Sequence, residues 1–88
     1  MTRYSIPRRI VLPFGWVIRV AQVSRTANAL FDGDDNSYLD GRWDDLTRTI
    51  YINRDAPVKR RRHLLLHELD HAINDLMHWA GDQKISDQ

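Results

Sequence analysis

Between Pro57 and about Ala80 the apolar residues recur at helical spacing, and this run dominates a chain of only 88 residues. Set at steps of about 100°, Leu65, Leu69, Ala72, Ile73 and Leu76 form one broad face. Pro57 suits the first helical position, and Gly81 reads as a left-handed stop. A chain this short buries only about 60–65 % of its unfolded surface, so the core is expected to be modest. Residues 1–88 are read as one domain.

The rest of the chain reads as strands. Residues 1–9 look like an arm, with Pro7 disfavouring a central strand. Ile10-Val11-Leu12 leads to Pro13, and a stronger segment follows over 16–23. There Trp16, Ile18 and Val20 fall on one side and Val17, Arg19 and Ala21 on the other. Residues 38–43 and 48–53, joined through Asp44-Asp45-Leu46-Thr47, read as a hairpin. In its second strand Ile50 and Ile52 point one way, Thr49 and Tyr51 the other. Strands and hairpin together are expected over about 10–53.

Within the helix lies His67-Glu68-Leu69-Asp70-His71, an H-E-x-x-H. Residues four apart stack on one helical face, so His67 and His71 can hold one metal ion together. Glu68 stands about 100° round, within reach of a water on that ion. Zinc bound by imidazoles, with a position open, lowers the pKa of its water to about 7. A carboxylate beside it can take the proton and pass it to a leaving amine. These residue types at this spacing are those of a zinc peptidase. Eleven of the twelve acidic residues are Asp, and the single Glu stands where that chemistry wants a longer reach.

Other features carry less. Asp32-Gly33-Asp34-Asp35-Asn36 has the D-x-D-x-N spacing of a calcium loop. An EF-hand needs Gly at the sixth position and Glu at the twelfth; Ser37 and Trp43 stand there, so the segment reads as a solvated turn. Lys59-Arg60-Arg61-Arg62 reads as a solvated helix end. Thirteen basic against twelve acidic residues give +1, so a strongly charge-driven partner is not expected, although the basic residues are 11 Arg to 2 Lys. Without cysteine, disulfides and thiolate zinc fingers are excluded. No run approaches the roughly 20 apolar residues of a membrane span. The expected setting is the cytoplasm, with a peptide or protein as partner and no membrane; a nucleic acid is the less expected partner.

Arg48-Thr49-Ile50-Tyr51-Ile52-Asn53, followed by the helix Arg61-Arg62-His63-Leu64-Leu65-Leu66-His67-Glu68-Leu69-Asp70-His71-Ala72-Ile73, resembles the small ImmA/IrrE-type zinc metallopeptidases of phages, prophages and mobile elements. Those carry an I-x-I strand ending in a polar residue, a short spacer, and an Arg-led "LLHELxHA" helix. The resemblance covers about residues 38–75, with a vaguer echo at Leu12-Pro13-Phe14-Gly15. It implies an α+β, minimal zincin-like domain, a small twisted sheet packed on a long C-terminal active-site helix. It implies an endopeptidase, in some members one that cleaves a repressor. By the motif His67 and His71 carry over as zinc ligands and Glu68 as general base. In zincins an edge strand by the helix pairs with the substrate backbone, which makes Tyr51 a candidate substrate-binding residue.

The chain departs from the pattern at the third protein ligand. In gluzincin-like members it is an acidic residue beyond the helix; here seventeen residues follow His71 and none is Glu. Asp75 is one turn past His71 and reads as an exposed helical residue, as does His63. Asp82 and Asp87 follow Gly81 and could fold back. Metzincins bend the helix and add a third donor; Asn74 matches the bend, but the donor position falls on Met77, one residue before His78. His78, Asp82, Asp87 and a donor from a second copy all stay open. The alternatives to a peptidase are a catalytically inactive zincin-scaffold binding protein and a small Arg-rich nucleic-acid binder.

Overall fold

The computed structural model describes residues 6–86, with only the backbone of Phe14 and of the last eight. Six strands precede one long helix. They are β1 (Arg9–Val11), β2 (Val17–Val23), β3 (Phe31–Asp32), β4 (Ser37–Tyr38), β5 (Gly41–Asp44) and β6 (Thr49–Asn53), and the helix is α1 (Val58–Ser86). The architecture is α+β. Four strands form a mixed sheet in the order β1-β2-β6-β5, and β3 and β4 form a separate ribbon. β2 and β6 run parallel, with Val20 opposite Ile50, while both outer pairs are antiparallel.

Alternation along the strands decides which face is covered. Ile18, Val20, Ile50 and Ile52 are buried together with Leu64, Leu65, Ala72 and Leu76 of α1, and Leu69 packs against them. Val17 and Arg19, one residue out of phase, are exposed on the opposite face. The helical face is turned slightly from the expected one. Leu64 belongs to it, while Ile73 lies at its margin, 38 % exposed. Leu30 is fully buried apart from this cluster, in a turn that contacts β5 and β6.

The helix start is held by polar contacts with both hairpin and sheet. The Pro57 carbonyl accepts from the Arg61 N–H, so Pro57 caps the helix instead of occupying its first turn. The Arg61 guanidinium donates to the Ala56 carbonyl (2.8 Å) and to Gln22 Oε1 (2.6 Å) at the end of β2. Buried Asn53 donates through its side chain to Asp40 (3.2 Å) and accepts from the Asp55 N–H (2.9 Å). That is the physical role of the polar residue ending the I-x-I strand: it closes the turn that launches α1.

Two expectations are corrected. Residues 38–43 do not form one strand; a break at 39–40 separates β4 from β5, and β4 pairs back on β3 around the 33–36 turn. There Asp32 accepts from the Asp34 N–H (3.0 Å), an internal use that fits a turn. Gly81 does not end the helix, which continues to Ser86. Inside a helix glycine costs only about 1 kcal/mol relative to alanine, too little to enforce a stop. Asp87 and residues 1–5 of the arm lie outside the described residues. No helix among the described residues is long and apolar enough to cross a membrane.

Candidate functional site

One unbroken helix carries the whole motif. The His67 and His71 rings lie 4.8 Å apart between centroids, with planes inclined at 59°. Both side chains are exposed, since they stand off the face that Leu64, Leu65 and Ala72 bury. Zinc–imidazole bonds are about 2.0–2.1 Å long, so neighbouring rings at this separation can converge on one ion. The donor pair therefore fits a zinc ion.

Glu68 is different. It lies partly buried between the two histidines and the packing face, leaning over β5. A methyl group built on Gly41 would stand 3.4 Å from its Cγ and 3.6 Å from its Oε2. These are ordinary contacts, and they put the Glu68 carboxylate beside the sheet's outer strand, β5.

Asp75 is exposed on the helix, as expected, and is engaged by a side chain of the sheet. Its Oδ2 accepts the indole N–H of Trp43 at 3.1 Å, tying β5 to the helix one turn beyond His71. The pair is 32 residues apart in sequence, and nothing local signals it.

His78 is exposed on the same helix. With no bend at Asn74, it stands about 10 Å of helical rise beyond His71 and cannot share an ion with that pair in this conformation. The backbone of Asp82 is further off, about 16 Å of rise away. Among the described residues no group of three or more metal-ligating side chains assembles. His63 is exposed on the helix surface, as expected.

Tyr51 does not stand on an edge strand, the setting that made it a substrate-binding candidate. β6 lies between β2 and β5 and is an interior strand; the outer strand beside the motif is β5. Tyr51 also alternates with Ile50 and Ile52, which face α1, so its ring is on the side away from the histidines.

Compared with known proteins, the chain matches no protein-family model, no curated protein and no solved structure.

Proposed function

We propose that the chain is a zinc-dependent metallopeptidase of the small ImmA/IrrE, zincin-like kind. The observation that carries this reading is the adjoining His67–His71 pair with Glu68 beside the outer strand of the sheet. His67 and His71 would hold the zinc, which when bound supplies an acidified water and polarises a carbonyl.

The chain's own residues do the remaining work. An extended peptide adds to the outer edge of β5 through main-chain hydrogen bonds, bringing its scissile carbonyl beside the helix. Glu68 takes a proton from the attacking water as the new C–O bond forms. It returns that proton to the amide nitrogen as the C–N bond breaks. The products are a carboxylic acid and an amine.

The test combines metal content with cleavage. Wild type should hold about one zinc per chain and lose it in His67→Ala. Glu68→Gln should keep the zinc and cleave a peptide library at least about 100-fold more slowly, the scale of general-base catalysis. Unchanged cleavage in Glu68→Gln with zinc still bound refutes the assignment.

A second reading follows from the continuity of α1, which carries His78 away from the pair. Here the fold is a zincin-like scaffold that binds a partner without catalysis. Stoichiometric zinc with no cleavage of any library peptide would favour it.

A further inference from the structure

The side of the sheet away from α1 gathers arginines from three distant parts of the sequence. Arg9 of β1 is directly opposite Arg19 of β2. Their neighbours Ile10 and Ile18 face the helix, so both guanidinium groups project from the far face. The turn before β6 brings in Arg48, whose carbonyl accepts the Arg19 N–H at 3.0 Å. Together with Val17, Leu46 and Thr47 they line a solvent-open hollow of about 650 Å³.

Among the described residues no carboxylate forms a salt bridge with Arg9, Arg19 or Arg48. The salt bridge found among the described residues, Arg60 with Asp40, belongs to the helix start. Asp44 is the acid in the same cross-sheet row, but Thr49 intervenes between it and Arg19. Two strand spacings put it about 10 Å from Arg19, and its Oδ1 already accepts the Leu46 N–H.

Two local choices there run against stability. Like charges directly opposite each other in an antiparallel pair repel, and Arg9 with Arg19 is such a pair. Arg48 has φ +51°, the left-handed region that glycine or asparagine would occupy with less strain. Both choices deliver a guanidinium to one hollow. Departures from local rules that converge on a single place are expected where a chain has a function to serve.

We infer that this hollow binds the phosphodiester backbone of a nucleic acid. Guanidinium groups match phosphate oxygens with paired donors, and the Thr47 hydroxyl adds another donor of the kind that positions a backbone. The site is concave, which fits a rounded polyanionic strand better than the plane of a lipid bilayer. It stands on the opposite face from His67 and His71 and does not depend on the peptidase reading.

The test is fluorescence anisotropy of short labelled DNA, single-stranded and duplex, titrated with the whole chain. Three neutralised phosphates predict affinity falling about 20- to 40-fold between roughly 50 and 200 mM salt. Arg19→Gln and Arg48→Gly should each reduce the logarithmic salt slope by about 1. Arg48→Gly should melt no lower than wild type, because glycine suits that φ, so its lost binding cannot be lost folding. Arg60→Gln, on the helix, should leave the slope unchanged. The proposal is overturned if DNA does not bind at low salt, or if neither Arg19→Gln nor Arg48→Gly alters the slope. Retention on anionic phosphatidylserine vesicles without DNA binding overturns it equally.

Discussion

Replacing Gly41 tests how closely α1 lies on β5 and what that approach does for Glu68. An alanine methyl there would meet Glu68 Cγ at 3.4 Å, Glu68 Oε2 at 3.6 Å and Leu64 Cβ at 3.6 Å, all ordinary contacts. Gly41→Ala should therefore be accommodated, and the stiffer unfolded chain should raise stability by about 0.4–1 kcal/mol. Valine differs, because its γ-carbons reach about 1.5 Å beyond Cβ. Any γ-carbon directed at these atoms is left with about 2 Å, well inside contact distance. Leu64 is buried and cannot yield, so Glu68 must swing aside. Overpacking of this kind costs about 1–3 kcal/mol. If Glu68 is the proposed general base, displacing it by about 1 Å would cost on the order of 100-fold in rate. Urea unfolding followed by tryptophan fluorescence measures the first effect, and peptide cleavage at matched zinc content measures the second. If Gly41→Val is as stable as Gly41→Ala, the helix does not pack on β5 as described and the reasoning fails.

Ile52→Ala removes a fully buried side chain between sheet and helix, and should cost about 2–5 kcal/mol in urea unfolding. For a chain of this size that is a large share of an expected total of about 4–13 kcal/mol. Trp43→Phe removes the indole donor to Asp75 while keeping an aromatic ring on β5, and should cost about 0.5–1.5 kcal/mol by the same assay. A larger loss would mean that ring packing, not the hydrogen bond, ties β5 to α1.

Short-range patterns in the chain were informative about elements and faces. The alternation of Trp16, Ile18 and Val20 identified β2 and its buried side, and the spacing of Leu65, Ala72 and Leu76 identified the packing face of α1. The hairpin of β5 and β6 could be read because its strands are neighbours in sequence. Pairing between distant segments could not. The parallel register of β2 on β6 makes β6 an interior strand, and this removed the premise on which Tyr51 was chosen. The same pairing, with that of β1 on β2, assembles Arg9, Arg19 and Arg48, a cluster invisible to a search for contiguous basic runs. The run that was visible, 59–62, includes Arg60 and Arg61, which the fold uses to fasten the helix start.

The continuity of α1 bears most directly on the candidate metal site. H-E-x-x-H fixes two donors by local geometry alone, since four residues are about one turn. A third donor has to come from a change of chain direction, and α1 makes none between Val58 and Ser86. That carries His78 and the backbone of Asp82 along the helix axis, away from the His67–His71 pair. Asp75, the acidic side chain one turn on, is engaged by Trp43. On the zinc reading, a third protein donor would then approach the exposed histidines from beyond the described residues or from a second copy of the chain. The two routes differ in their response to dilution. A donor from the same chain gives about one zinc per chain at any dilution. Donors exchanged both ways across a twofold pair also give about one per chain, but the metal is lost as the pair dissociates; one ion shared by both His67–His71 pairs would give about half.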